Sequence, residues 1–267
     1  MNEEALKRVQ QWFEEYAWGY AGVDGEFHPM LRLKFDHSLR VQRYARQIAT
    51  ELAWSQKDIN LADALGLLHD IGRFPQFKQY GTLQDARSID HGECGFCTAT
   101  RTGVLVDCHP SRAQWILDGI RFHNRREIPA GLEHDSLRFV KLVRDADKLD
   151  IFHIVVDTIR NATFRQHPEI LAGIDPDGPL NPVLVNEVRE QRRGTYEHVR
   201  SLADWIVLML AWVYNLNYLP TLHEVTRAGF LEDLIGLAPD TPEVRAIVAD
   251  TRSYFAEKFA EGKSELQ

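Results

Sequence analysis

The stretch from residue 58 to residue 75, DINLADALGLLHDIGRFP, decides the fold class of this chain. Its apolar residues recur at the spacing of a helix, and His69 continues the apolar stripe that contains Leu65. The pattern predicts a helix from about residue 58 to residue 70 that stops at Gly72, the small residue expected just beyond a helix C-terminus. The sequence therefore directs an imidazole toward the interior at the end of an apolar helix.

Helical periodicity dominates the rest of the chain as well, and the alternation typical of strands is rare. The predicted fold class is all-α. Asp36 is placed to cap the first turn of the second helix. The longest loop, residues 167–182, is rich in Pro, Gly and Asp and is interpreted as a linker or as a lid over a site. A first helix with an apolar stripe from Leu6 to Ala17 is predicted to end around Gly19 to Gly25. Further helices are predicted at residues 36–52, 91–102, 111–123, 136–156, 183–193, 196–219 and 242–258.

The composition is that of a soluble globular protein. The chain has 267 residues, of which 44% are hydrophobic and 26% are charged, so it can bury a sizeable core and is not disordered or fibrous. We expect a single domain over residues 1–267. A net charge of −8 argues against a nucleic-acid polymer or an anionic membrane as partner. The apolar stretch at residues 205–219, WIVLMLAWVYNLNYL, is too short to span a bilayer and predicts a buried helix.

The cysteines and the first residues indicate a reducing compartment. Three cysteines cannot all pair with one another, and the opening MNEE is not typical of a secretory or transit peptide, so a cytoplasmic location is expected. Cys94 and Cys97 have the spacing of a zinc knuckle that Cys108 and His109 would complete. On a helix the same spacing simply marks one face, which favours free thiols.

Several polar residues fall on apolar helix faces. His37 precedes Val41 on one stripe, His123 extends a stripe through Ile120, and Asp147 follows the apolar positions of its own predicted helix. Any one such histidine is more often a hydrogen-bonded core residue than a ligand. Taken together, several imidazoles and carboxylates in one core are costly to bury unless a cation meets them, which favours a metal site.

The run His69-Asp70-Ile71-Gly72-Arg73, with His37 upstream and RDADKL at residues 144–149 downstream, resembles the HD-domain superfamily of metal-dependent phosphohydrolases. The resemblance extends over about residues 35–155, which would form the catalytic core. Residues 156–267 would then be a helical extension that packs on or caps this core. The resemblance implies four metal ligands, which are His37, His69, Asp70 and Asp147.

Two more histidines extend the resemblance. The segments DHGECG at residues 90–95 and IRFHN at residues 120–124 are similar to those that hold a second ion in two-metal HD proteins, which makes His91 and His123 the candidate ligands. A site with one ion, in which these two histidines act as acid, base or structural groups, stays open. The implied cofactor is one or two divalent transition-metal ions, of Fe, Mn, Ni, Co or Zn.

The same resemblance implies a mechanism. Two ions that share a water molecule would lower its pKa and direct a hydroxide at phosphorus, with Asp70 as the bridging carboxylate. Arg73 and Lys148 are candidate catalytic residues that anchor the phosphate, although a solvated surface charge explains either one as well.

The implied partner is a small phosphate-ester substrate, either a nucleotide or another mono- or diester. Cyclic-dinucleotide hydrolases of this family have a second histidine where this chain has Asn124, and stringent-response hydrolases have an acidic pair where it has Arg73 and Phe74, so both branches are disfavoured. Two alternatives remain, a di-iron oxygenase with the same ligands and a regulatory module that binds nucleotides without turnover. The sequence does not indicate which oligomeric state the protein adopts.

Overall fold

A computed structural model describes residues 1–161 and 174–265 of the chain, and helices are their predominant secondary structure. Within them, the only β-type pairing is a single isolated bridge between Asp175 and Ser201. The prediction of an all-α fold is therefore confirmed. The chain divides into two compact units, Met1–Asp150 and Ile151–Gln267.

Twelve α-helices are found in the described residues, and α7 crosses the boundary between the two units. Their bounds are α1 Glu3–Trp18, α2 Pro29–Glu51, α3 Gln56–Leu68, α4 Arg73–Tyr80, α5 His91–Thr102, α6 Pro110–Phe122, α7 His134–Arg160, α8 Pro182–Gln191, α9 Leu202–Trp212, α10 Leu219–Arg227, α11 Phe230–Leu237 and α12 Pro242–Glu265. The predicted helices at 91–102, 111–123, 136–156, 183–193 and 242–258 are present, with some ends displaced.

Helix α2 begins two turns earlier than predicted, and Asp36 does not cap it. The cap is His28, whose Nδ1 accepts a hydrogen bond from the backbone N–H of Met30 at 3.2 Å. Pro29 suits the first helical position because its φ is already helical and it has no N–H to satisfy. Asp36 instead forms an exposed ion pair with Arg32, one turn away. The additional turns bring Lys34 onto the same helix as His37.

Helix α3 is the centre of the first unit. Ser55 caps its first turn, and every residue from Ile59 to Leu68 is buried. The helix packs against α1, α2 and α6. It ends at Leu68, so His69 and Asp70 lie in the short turn that follows, fixed between two helices.

That turn leads directly into α4, a helix that the sequence analysis missed. Pro75 follows the predicted stop at Gly72, but it lies in the first turn of α4, where its missing N–H has no intrahelical partner to lose. Gly72 adopts an ordinary right-handed φ of −68°. It is required for another reason, because a Cβ there would lie 2.1 Å from the carbonyl oxygen of His91 and 2.6 Å from the amide nitrogen of Gly95.

In the second unit, the predicted helix over 196–219 is wrong. The chain forms a short 3-10 turn at Tyr196–His198 and then begins α9 after Ser201, which makes a capping box with Asp204. Pro220 starts the separate helix α10, and α11 was not predicted. The apolar helix α9 is mostly buried.

Two more predictions concerned a membrane-spanning helix and a linker or lid. No helix within residues 1–161 and 174–265 is long and apolar enough to cross a membrane. Of the predicted linker or lid at residues 167–182, the part from 167 to 173 lies outside the described residues, and the rest leads into α8.

Candidate metal centre

The six predicted metal ligands meet at one place in the first unit. They come from helix α2, the turn after α3, the start of α5, the residue after α6 and the middle of α7. Five of the side chains are buried, and that of Asp147 is 20% exposed. In chain order the ligands are His37, His69, Asp70, His91, His123 and Asp147.

The first group of donors consists of His37, His69, Asp70 and Asp147. The Nε2 atoms of His37 and His69 are 3.1 Å apart. Oδ1 of Asp147 lies 3.2 Å from His37 Nε2 and 3.7 Å from His69 Nε2. Oδ2 of Asp70 lies 3.5 Å and 3.7 Å from the same two nitrogens. Each of the two carboxylates therefore has an oxygen within 3.7 Å of both histidine nitrogens.

The second group consists of Asp70, His91 and His123. The Nε2 atoms of His91 and His123 are 3.0 Å apart. They lie 3.4 Å and 3.6 Å from Oδ1 of Asp70, the oxygen that the first group does not use. Asp70 thus presents one oxygen to each group.

These separations fit metal coordination. Two donors that each lie about 2.1 Å from a common ion, at tetrahedral or octahedral angles, are about 3.0–3.4 Å apart. His37, His69 and Asp70 of the first group and all three residues of the second group have donor atoms within 4.8 Å of one another, as a shared cation requires. Oδ1 of Asp70 is buried and has no hydrogen-bond partner, and among the described residues its only side-chain cation is Arg73, whose Nε lies 3.4 Å away. A buried carboxylate oxygen without a hydrogen bond is costly, and a metal ion at this position would offset the cost. Imidazole and carboxylate donors are those of divalent transition metals.

The histidine tautomers are also those that a metal requires. Nδ1 of His69 lies 2.7 Å from the carbonyl oxygen of Gly66, and Nδ1 of His123 lies 2.8 Å from that of Ile120. A carbonyl oxygen can only accept, so each Nδ1 carries the proton and each neutral ring has its lone pair on Nε2.

The other two histidines donate from Nδ1 to carboxylates. His37 donates to Asp150 and His91 donates to Asp85, each at 2.6 Å. Such partners fix the ring orientation and raise the basicity of the ligating nitrogen. Asp150 lies one turn beyond Asp147 on α7, and Asp85 lies six residues before His91. Sequence reasoning missed both residues, although the helical spacing of three was a signal for Asp150.

Electrostatics keep His69, His91 and Asp70 in metal-binding forms. Burial lowers the pKa of His69 to about 3 and that of His91 to about 4, so both rings are neutral near pH 7. For His37, burial and Lys34 act to lower the pKa, but hydrogen bonds with Asp147 and Asp150 outweigh them and raise it. Burial acts to raise the pKa of Asp70, yet the Lys34 charge and other neighbours hold it well below its usual value.

Lys34 is a part of the centre that sequence reasoning missed. Its Nζ lies 2.7 Å from Oδ2 of Asp70, and its side chain is only 17% exposed. It lies one turn before His37 on α2, so the spacing of three was a usable signal. The prediction that α2 begins at Asp36 had left this lysine outside the helix.

The two predicted phosphate anchors lie beside the centre. Nε of Arg73 is 3.4 Å from Oδ1 of Asp70, while its Nη1 donates to Gln76, to Asp85 and to the carbonyl oxygen of Leu83. Lys148 is half-buried on α7, and burial lowers its pKa to about 8. Contact of either side chain with a phosphate stays a prediction.

The two histidine and aspartate groups are the metal-compatible clusters found in the described part of the chain, and the cysteines belong to neither. Cys94, Cys97 and Cys108 are free, as the sequence analysis favoured. Comparison with protein families matches residues 35–151 to the HD domain. No similar curated protein and no similar solved structure was found.

Proposed function

We propose that this chain is a metal-dependent phosphohydrolase that binds two divalent ions. Its residues 35–151 match the HD domain, and on this match the chain belongs to the HD-domain superfamily. The proposed substrate is a nucleotide or another small phosphate mono- or diester. We propose no nucleic-acid polymer and no membrane as partner. The observation that carries the proposal is the division of six donors into two groups that share Asp70.

The divalent ions would supply Lewis acidity, which lowers the pKa of a water molecule and offsets charge on the phosphate oxygens. The residues of this chain contribute the rest. Four histidines present Nε2 lone pairs, and Asp70 and Asp147 supply negative charge to hold the cations. Lys34 and Arg73 lie on opposite oxygens of Asp70, where they contribute positive charge on either side of it.

The charge balance of the centre supports an anionic substrate. Its four carboxylates belong to Asp70, Asp85, Asp147 and Asp150, and its three cationic side chains to Lys34, Arg40 and Arg73. These side chains therefore carry one net negative charge. Two divalent ions would change that to three positive charges. A buried positive centre favours a phosphate group over a neutral organic substrate.

The test couples metal analysis to phosphate release from a panel of nucleotides and small phosphate esters. We expect about two ions per wild-type chain, loss of metal and activity in His69→Ala, and loss of one ion with loss of activity in His123→Ala. His134→Ala is the matched control, since that histidine side chain is 90% exposed and belongs to neither group.

Three outcomes would contradict the proposal. Full metal content and full activity in His123→Ala would mean that only the first group binds an ion. If the metal-loaded protein consumed oxygen with an organic substrate and released no phosphate, the chain would be an oxygenase with the same ligands. A metal-loaded protein with no turnover in either assay would be a regulatory module.

A further inference from the structure

The two donor groups are not equivalent in number or charge. The first group has four donors, two of which are carboxylate oxygens, from Asp70 and Asp147. The second group has three donors, and its single carboxylate oxygen belongs to Asp70. A divalent ion in the second group would therefore face one carboxylate fewer than an ion in the first group.

The carboxylates that orient one histidine of each group also differ. Asp150, which accepts from His37, is fully buried in α7, and Arg40 holds its two oxygens at 2.5 Å and 3.1 Å. Asp85, which accepts from His91, is 34% exposed and lies in the 3-10 turn Asp85–Arg87 between α4 and α5. The support of the second group thus lies near solvent and outside the long helices.

Asp85 is nevertheless the point where the polar contacts of the second group converge. Its Oδ1 accepts from Arg73 Nη1 and from Gln76 Nε2, each at 2.9 Å. Its Oδ2 accepts from His91 Nδ1 at 2.6 Å and from Asn124 Nδ2 at 3.2 Å. One carboxylate therefore fixes the tautomer of His91 and joins α4, α5 and the end of α6.

Resting on the two-ion function proposed above, we infer that Asp85 is a positioning residue on which the second metal site depends, and that the second ion is the exchangeable one. The first ion is retained because its site has an additional carboxylate and a fully buried support. The second ion is released first because it depends on one shared carboxylate and one partly exposed support. The amount of active enzyme would then follow the free metal concentration.

The test measures metal affinity and does not depend on turnover. Wild-type protein loaded with Mn²⁺ is titrated with a chelator, and bound ions per chain are followed by metal analysis and by electron paramagnetic resonance. We expect two steps, with the spin-coupled signal of an ion pair replaced by that of isolated Mn²⁺ after the first step. We expect Asp85→Asn to weaken the more labile ion about 10- to 100-fold and to leave the other unchanged.

Asp150→Asn is the matched variant, because it makes the same change on the other group. We expect it to weaken the tightly held ion. Asp85→Ala provides a second test at the same position, and circular dichroism checks that each variant is folded. The amide group introduced by Asp85→Asn would direct N–H groups toward donors such as Arg73 or His91, which explains why the isosteric change disturbs the site.

Release of both wild-type ions in a single step would overturn this inference, as would folded Asp85→Asn and Asp85→Ala proteins that keep both affinities. A wild-type chain that never binds a second ion would instead overturn the two-ion function on which the inference rests. Two unequal ions without phosphate release would leave this inference standing and contradict the hydrolase function.

Discussion

Replacing Lys34 with methionine removes the ammonium group from the centre and keeps an apolar chain of similar length. The ion pair between Lys34 Nζ and Asp70 Oδ2 spans 2.7 Å, and Asp70 is almost fully buried. At an effective dielectric constant of about 20, the attraction over that distance is about 6 kcal/mol. The measured loss will be smaller, because Lys34 is partly exposed and Arg73 also lies near Asp70.

Removing one partner of a buried pair typically costs about 3–5 kcal/mol, and we expect the lower end here. For a protein of this size, about 3 kcal/mol corresponds to a decrease in Tm of about 6–12 °C. This decrease applies to the metal-free protein. Since a divalent ion would replace the missing positive charge beside Asp70, metal should raise the Tm of Lys34→Met by more than it raises that of the wild type.

The assay is thermal unfolding of both proteins, each stripped of metal and then saturated with Mn²⁺ or Zn²⁺. Lys7→Met is the control, since Lys7 is exposed on α1 and distant in sequence from the ligands. Two results would refute the reasoning. One is a metal-free Lys34→Met protein as stable as the wild type, and the other is an equal metal-induced increase in Tm for the two proteins.

Three further predictions concern pH, a glycine and a candidate anchor. The metal-free protein should lose stability as the pH falls from 6.5 to about 3, because the lowered pKa values of His69 and His91 let the unfolded chain bind protons that the folded chain does not. Urea midpoints that do not fall with pH over that range would contradict it. The raised pKa of His37 acts in another range, since its contribution to stability is fully present below pH 6.5 and is lost at higher pH. Gly72→Ala should destabilise the protein in urea unfolding and weaken metal binding by the second group, because its Cβ would overlap the backbone of α5. The control Gly236→Ala in α11 has open space around its Cβ and should be neutral or stabilising by about 1 kcal/mol in the same assay. Lys148→Gln should raise KM for the phosphate ester with unchanged metal content, and an unchanged KM in steady-state assays would show that Lys148 does not bind the phosphate.

The ligands could be predicted from sequence because local patterns mark them. His69 and Asp70 end an apolar helix, and His37 and Asp147 lie on apolar helix faces, so their inward direction follows from helical geometry alone. The order of these motifs along the chain then pointed to the HD domain, which residues 35–151 match.

The contacts that hold the supporting residues could not be predicted because they join distant parts of the chain, although the spacing from Asp147 was a signal for Asp150 itself. Asp85 is joined to Asn124 across 39 residues, and Asp150 to Arg40 across 110 residues. Nothing in the local sequence around either aspartate specifies its partner. Lys34 was missed for a local reason, since the N-terminal limit of α2 was drawn at the acidic Asp36 although Pro29 also suits a first turn.

In the second unit, the helix boundaries were mispredicted although the signals for them are local. Residues 205–219 are strongly apolar, and hydrophobicity alone does not locate the ends of the helices there. The capping box at Ser201 marks the start of α9, and Pro220 lies in the first turn of α10. Both signals are present in the sequence, but the apolar pattern dominated the interpretation.

The contact at Gly72 links the spacing of the two donor groups to the peptide backbone. The turn that holds His69 and Asp70 meets α5 through main-chain atoms, the carbonyl of His91 and the amide of Gly95. Main-chain dimensions are the same whatever side chains surround them. Substitutions in the surrounding core that keep a glycine at this point should therefore preserve the distance between the two donor groups.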